Sequence, residues 1–347
     1  MSTVQFAAPI DQDAEDVAAL TLTRRVVVII PTLNEEASIE NCVMSLMEGA
    51  AAAQFIVMDG GSDDETRSIV SRLALSRSNL SLHPNPRRSQ AAAVNEGLTH
   101  AGPDRDILIR CDAHAAYPEG FVARVAQQLI ATEADSITVP MDAVPAPHGG
   151  AFAKANAWAV DTRLGTGGSP HRGGTTSGYV DHGHHAGFWR ARFEALGGYN
   201  EHLPANEDAE YDTRLRAAGG KVWLDAENRV TYYPRKSFRA LCRQYFRYGL
   251  GRAQHHFAHR APLRLRQLIP VGHILALTLS ASLAPFTGLG WVYPIIYSAS
   301  LIAEAVRQLV KRRSVAALLI PLALFGMHTA WGLGFLAGSL GAKKAIR

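Results

Sequence analysis

The stretch "RVVVIIPTLNEE", residues 25–36, decides how the chain is read. Val26 to Ile30 is an unbroken run of β-branched residues, the composition of a strand buried on both faces of a parallel sheet. In "TLNEEASIENCVMSLMEG" (32–49), a loop leads into a helix with Ile39, Val43, Leu46 and Met47 at helical spacing. "QFIVMDGGSDDETRSIVSRL" (54–73) repeats the scheme of strand, Gly-bearing turn, acidic first turn and helix. "LSLHP" (80–84) reads as a third strand, "RSQAAAVNEGLTHA" (88–101) as an Ala-rich helix and "DILIRCDA" (106–113) as the next strand. Strands alternating with helices predict right-handed crossovers and an α/β fold with a mostly parallel, covered sheet. Such sheets bind ligands beyond the carboxyl ends of their strands. Asn34, Asp59 and Asp112 all fall at such ends, so a site is expected where these loops meet.

The 347 residues suffice for one large domain or two smaller ones. Charge is unevenly spread. Residues 1–227 hold 30 of the 31 acids and 18 of the 35 Lys and Arg, whereas residues 228–347 hold 17 bases and a single acid, Glu304. The second half is therefore expected to meet an anionic surface. Cys42, Cys111 and Cys242 are isolated in sequence and read as free thiols in a reducing compartment. The first 25 residues lack the basic and apolar regions of a secretory signal, which predicts a cytoplasmic first domain. From Gln267 to Ala303 there is no charged residue, and "PFTGLG" (285–290) interrupts the run. Two crossings joined by that turn are expected, and the second apolar block (315–340) is either a third crossing or an interfacial segment. Arg307, Lys311, Arg312 and Arg313 would then lie on the cytoplasmic side.

Several residue sets invite chemistry. Asp112 and His114, read as i, i+2 on a strand, would point the same way. Glu207 and Asp208 open a helix that stops at Gly219-Gly220, while Glu210 and Asp212 read as surface charges. Gln244 and Arg247 share a helix face. "DHGHHAGFWR" (181–190) is rich in histidine, but a zinc site from His182, His184 and His185 lacks a fourth partner at zinc-site spacing. "GTGGSPHRGGTTSG" (165–178) reads as a flexible loop over a site. Residues 235–266 carry nine Lys or Arg with interleaved aromatics and no acid, a composition suited to anionic lipid headgroups. The apolar tail favours membrane over nucleic acid as the anionic partner.

In order, "PTLNEE", "DGGSDDET", "NPRRSQAAAVNEGL", "CDAHA", "NEDAEYDTRLRAAG" and "QYFRY" resemble the family 2 glycosyltransferases of the GT-A fold, over about residues 24–250. The D-x-H form and the apolar tail more specifically resemble the ExoA-like enzymes of succinoglycan and exopolysaccharide synthesis. The resemblance implies an N-terminal extension (1–23), a GT-A domain (24–234), basic interfacial helices (235–266) and a region of two to three membrane segments (267–340). It implies that Pro31, Thr32, Asn34 and Glu35 contact the nucleoside of a nucleotide sugar, that Asp59 accepts from its uracil ring, and that Arg87, Arg88 and Gln90 serve the diphosphate and nucleotide. The family pattern has a second acid after Asp59, where this chain has Gly60.

By the same resemblance, Asp112 and His114 hold a divalent cation, Mn2+ or Mg2+, and imidazole in place of carboxylate favours Mn2+. Asp208, beside Glu207, is the catalytic base, and two adjacent acids in a cleft are expected to raise one pKa. Arg247, with Gln244, pairs with the diphosphate. Tyr248, His184 and His185 fall to the acceptor. The implied activity is inverting transfer, from a UDP-sugar, of glucose in β-linkage to a polyprenyl-diphosphate-linked saccharide. The implied location is the cytoplasmic face of a bacterial inner membrane with anionic lipids. The alternatives are a processive polysaccharide synthase and a non-catalytic nucleotide- or lipid-binding scaffold of the same fold.

Overall fold

The computed structural model describes residues 19–146, 149–167, 175–260 and 262–345. Half of the Gly-rich loop read from residues 165–178, and most of the 1–23 extension, lie outside them.

Among the described residues, eleven strands form two sheets. The strands are β1 (Val26–Thr32), β2 (Gln54–Asp59), β3 (Leu80–Pro84), β4 (Ile107–Arg110), β5 (Ala115–Ala116), β6 (Ser136–Val139), β7 (Met141–Ala143), β8 (Gly178–Val180), β9 (His184–Trp189), β10 (Val222–Leu224) and β11 (Val230–Tyr232). The larger sheet has the order β3-β2-β1-β4-β9-β6-β10-β8, and β5-β11-β7 forms a second, small sheet. β1, β2, β3 and β4 are mutually parallel, and β9 runs antiparallel between β4 and β6. The sheet is thus mostly parallel, as the apolar runs predict. Every residue from Val26 to Ile30 is fully buried, because helices cover both faces. Ile39, Val43 and Leu46 of the Ile39–Met47 helix join the core on one face. Ala91, Ala93 and Val94 of the Gln90–Gly97 helix join it on the other.

The strand read into Asp112 and His114 ends earlier. β4 stops at Arg110, and Asp112 to His114 form a turn before β5, where the Tyr117 hydroxyl both donates to the Asp112 carbonyl and accepts from its N–H. Strand alternation therefore does not set the directions of these two side chains.

Beyond the sheet, a single 22-residue helix, Phe238–His259, carries much of the basic segment. It packs along the last helix, Ile320–Ala345. A side chain at Gly249 would meet the Trp331 carbonyl, and one at Gly334 the Phe246 carbonyl, so the glycines permit backbone-to-backbone approach of the kind that joins helices in membranes. The apolar stretch breaks at the expected turn, between Leu265–Leu283 and Val292–Arg312. Among the described residues, two helical stretches are long and apolar enough to span a bilayer, Gly288–Arg312 and Val315–Gly341. Leu265–Leu283, expected as the first crossing, is not one of them. In Gly288–Arg312 only 17% of the apolar window is buried, and Ile295, Ile296, Ile302 and Val306 are exposed. That pattern differs from the core helix of a globular domain, whose apolar stripe faces inward.

Candidate active site

The loops after β1, β2 and β4 converge as predicted, and their side chains first of all hold one another. Asp59, the last residue of β2, is buried and accepts hydrogen bonds from the N–H groups of Gly61 and Ser62 and from the Ser62 hydroxyl. Asn34 adopts the left-handed conformation (φ 56°). Its Oδ1 accepts from Asp63 N–H, and its own N–H donates to Ser62 Oγ. Asp64 and Thr66 tie the next helix to the first loop, accepting from the N–H groups of Glu36 and Glu35. The Thr32 hydroxyl donates to the Ile30 carbonyl. These contacts stiffen the rim on which Pro31 and Asn34 sit. Glu35, expected as a nucleoside ligand, lies 3.2 Å from His114 Nδ1 and accepts from the Ser38 hydroxyl.

Asp112 forms part of the floor of a cavity of about 1280 Å3. Its Oδ1 accepts from Gln90 Nε2 at 2.5 Å and from the Arg110 guanidinium at 3.0 Å. Its Oδ2 lies 3.6 Å from His184 Nε2. Burial opposes the charge, but Arg110, His184, His114 and Gln90 outweigh it and bring the carboxyl down to about 2. Burial lowers the His184 imidazole to about 4, against the pull of Asp112, so the ring is neutral at pH 7. His114 moves the other way: burial lowers it, and the bond to Glu35 with the charges of Asp112 and Glu35 raises it further than burial depresses it.

Arg110 joins this floor to the acidic pair. Its guanidinium is 3.0 Å from Asp112 and 3.8 Å from Glu207 Oε1. Glu207 and Asp208 begin the Glu207–Ala217 helix, and both line the cavity. Burial and the neighbouring Asp208 push Glu207 up. Asp208 is held well below the carboxylate range: burial works against it, but His182, His185, Arg110 and the Ala209 N–H prevail. The raised pKa expected of this pair thus belongs to Glu207. The loop ahead of them is fastened to the basic helix. Asn206, at φ 68°, donates from Nδ2 to the Tyr248 carbonyl, and Arg247 donates to the Pro204 carbonyl. A Cβ at Gly251 would come within 2.3 Å of the Ala205 carbonyl oxygen. Gln244 donates to the hydroxyls of Tyr232 and Tyr248. Gln244, Arg247 and Tyr248 all line the cavity, and two of them also hold this loop.

Two sequence readings are corrected. His185, assigned to the acceptor, is fully buried, and its ring nitrogens bond Tyr199 Oη at 2.7 Å and Asp212 at 2.8 Å, so it stands in the wall behind the site. His184, its neighbour on β9, lines the cavity. Glu210 and Asp212, read as surface charges, are both buried. Asp212 also holds His182 Nδ1, at 2.9 Å, and Glu210 pairs with Arg214 and His259. Arg87 pairs with Glu201 and Glu96, and Arg88 sits beside Gly61. Arg110 and Asp212 are the functional neighbours that sequence reasoning missed. A cation at the end of an apolar strand, and an acid four residues after Asp208, were the signals.

Among the described residues no three His, Cys, Asp or Glu side chains are grouped to hold a metal by themselves. Asp112 Oδ2 and the neutral His184 imidazole form a partial set of one carboxylate and one nitrogen. Such a set fits a cation whose remaining ligands arrive on a diphosphate.

Residues 27–196 match the family model described as "Glycosyl transferase family 2". Over 310 residues, 89% of this chain and 93% of the relative, the sequence is 38% identical to the succinoglycan biosynthesis protein ExoA of Rhizobium meliloti (strain 1021). It is 24% identical, over 92% of this chain and 98% of the relative, to dolichyl N-acetyl-alpha-D-glucosaminyl phosphate 3-beta-D-2,3-diacetamido-2,3-dideoxy-beta-D-glucuronosyltransferase of Methanococcus voltae. The mannosyltransferase PcManGT from Pyrobaculum calidifontis, solved in complex with GDP-Man and Mn2+, superposes with a TM-score of 0.55, covering 92% of this chain and 96% of that one at 20% identity. The superposition shows a shared fold, and the breadth of the match to ExoA shows the family: the chain belongs to the family 2 glycosyltransferases, on a GT-A fold.

Proposed function

We propose that the protein is a membrane-attached, inverting glycosyltransferase that moves a sugar, glucose in β-linkage, from a UDP-sugar to a lipid-linked saccharide in exopolysaccharide synthesis of the succinoglycan type. One observation carries the reading. A single cavity is lined at once by Asp112 and Gln90, by Glu207 and Asp208, and by Ile269, Met327 and Trp331 of the apolar C-terminal helices. Donor chemistry, a base and an apolar path thus share one space. The names of the two relatives support the choice of acceptor and product.

Asp208 is ionised in the resting protein. An arriving diphosphate places negative charge nearby and raises the proton affinity of both carboxylates. Asp208 then takes the proton of the acceptor hydroxyl as that oxygen attacks the anomeric carbon from the face opposite UDP. The bond from that carbon to the diphosphate oxygen breaks, and UDP leaves with the electron pair. Positioned base catalysis of this kind contributes about 10²–10⁴-fold. Glu207, less willing to ionise, stays hydrogen-bond competent beside it. Arg110 links the two halves, so charge developing on the diphosphate and on the base is felt by one guanidinium. A divalent cation held by Asp112 with His184 or His114 would neutralise the departing diphosphate as a Lewis acid. Arg87 and Arg88, on the approach to the Gln90–Gly97 helix, suit a diphosphate clamp. The two apolar helical stretches would anchor the protein in the bacterial inner membrane. Lys311 and Arg312 at the end of Val292–Arg312 favour the cytoplasmic side for that end, which the catalytic domain shares when Leu265–Leu283 crosses ahead of it. The test is incorporation of label from a panel of UDP-sugars into lipid-linked acceptors in membranes, with and without EDTA. Addition of one sugar supports the reading, and long polymer would favour a synthase.

A further inference from the structure

Among the described residues the cavity wall holds eleven arginines and five carboxylates, an excess of positive charge that calls for an anionic ligand. The donor loops account for some of it, through Arg87, Arg88 and Arg110. A second group, Arg243, Arg252, Arg264 and Arg266, comes from the Phe238–His259 helix and the segment that starts Leu265–Leu283. Arg252 bonds His255 Nδ1 at 3.2 Å, a partner without negative charge. Arg264 shares one carboxylate, Asp181, with Arg216. Among the described residues Arg243 and Arg266 have no ion-pair partner. The mutual repulsion is felt: burial and then, against the pull of Asp208, the charges of Arg266 and Arg264 lower the proton affinity of Arg252. Like cations gathered in a partly dry wall are unfavourable unless an anion enters.

The surroundings define that anion further. Ile269, Pro270, Met327 and Trp331 line the same cavity, and Leu268, Ile269 and Leu275 are exposed along Leu265–Leu283. The Leu265–Leu283 helix also begins at the cavity, adding the positive end of its dipole. Phosphoryl oxygens on a hydrocarbon chain fit both features. We infer that Arg252 and Arg266, assisted by Arg264, form the subsite that binds the phosphate or diphosphate of a lipid-linked acceptor, with the apolar helices receiving its hydrocarbon. Because Gly251, next to Arg252, packs against the Ala205–Asn206 loop that leads into Glu207 and Asp208, the subsite adjoins the base. The inference rests on the glycosyltransferase reading above and adds to it the residues that hold the acceptor.

The test uses the full chain in detergent micelles, with saturating UDP to fill the donor loops. Farnesyl diphosphate, farnesol and inorganic pyrophosphate are titrated by calorimetry. Farnesyl diphosphate is expected to bind saturably, and the two other probes at least tenfold more weakly. Arg252→Gln combined with Arg266→Gln is expected to weaken farnesyl diphosphate at least tenfold while UDP affinity stays within twofold. Arg252→Lys keeps the charge and should retain most of the binding. Arg266→Gln alone gives a smaller loss in the same direction if the double variant fails to fold. Unchanged binding in the arginine variants overturns the subsite. So does pyrophosphate binding as tightly as farnesyl diphosphate, which marks a free-anion site, and so does farnesol binding as tightly, which marks a purely apolar one. If wild type transfers sugar to lipid and the arginine variants bind and transfer equally well, the subsite falls and the function stands. If no transfer occurs but arginine-dependent binding persists, the function falls and the subsite stands.

Discussion

The carboxylate of Asp212 and the imidazole of His185 lie 2.8 Å apart, both fully buried, behind the acidic pair. Asp208 and Asp212 are four residues apart on one helix and so share a face. One presents its carboxylate to the cavity, and the other anchors His185 and His182. Asp212→Ala removes the acceptor from one fully buried imidazole, His185, and one half-buried imidazole, His182. Loss of one partner from such a set costs about 3 kcal/mol. A markedly lower unfolding midpoint in detergent is expected, and Asp212→Asn should lose less because it keeps one acceptor. A midpoint unchanged in both would contradict the anchoring role.

Gly251 sets how closely the Ala205–Asn206 loop approaches the basic helix. A Cβ there would lie 2.3 Å from a backbone oxygen, so Gly251→Ala must displace the loop that ends at Glu207. Misplacement by about 1 Å can cost about 10²-fold in rate. The expected result is a fall in kcat of that order with UDP affinity unchanged. Wild-type kcat in the alanine variant would show that the loop position does not matter.

The pair of His114 with Glu35 predicts a pH dependence. The folded-state pKa of His114 is raised, so the pair stabilises fully below the unfolded value of about 6.5 and its contribution is lost as pH rises through the folded value. With EDTA present, the midpoint difference between wild type and His114→Gln should be larger at pH 6 than at pH 9. The same contact predicts that His114→Asp, which sets a carboxylate against Glu35, destabilises the first loop.

Chelation separates the two imidazoles beside Asp112. If His184 completes the partial ligand set, His184→Ala should weaken Mn2+ binding in the presence of UDP by about tenfold or more, in the range of lost ligand support, measured by the Mn2+ paramagnetic resonance signal. A larger effect from His114→Ala would return the metal to the D-x-H pair.

The parallel half of the sheet was legible because a strand buried on both faces must be apolar throughout, as Val26 to Ile30 are. The convergence of Asn34, Asp59 and Asp112 followed from topology. What misled was local geometry. Asp112 and His114 sit in a turn pinned by Tyr117, and no periodicity in "RCDAHAAYPEG" reports that. Asp212 looked like a surface charge because a short acidic helix has little apolar stripe, and its burial depends on histidines from a strand distant in sequence. Arg110 was hidden at the end of an apolar strand. The left-handed turn at Asn206, which aims Glu207 and Asp208 into the cavity, depends on a contact with Tyr248 that lies beyond any local signal.

The central claim is that Asp208 is the base for transfer from a UDP-sugar to a lipid-linked acceptor, and the most direct measurement is sugar label entering the lipid fraction of membranes carrying wild type or Asp208→Asn. The account predicts transfer by wild type from one UDP-sugar and a loss of about 10²–10⁴-fold in the variant, with UDP binding retained. Transfer by Asp208→Asn at the wild-type rate, or no lipid label from any UDP-sugar with wild type, would contradict it.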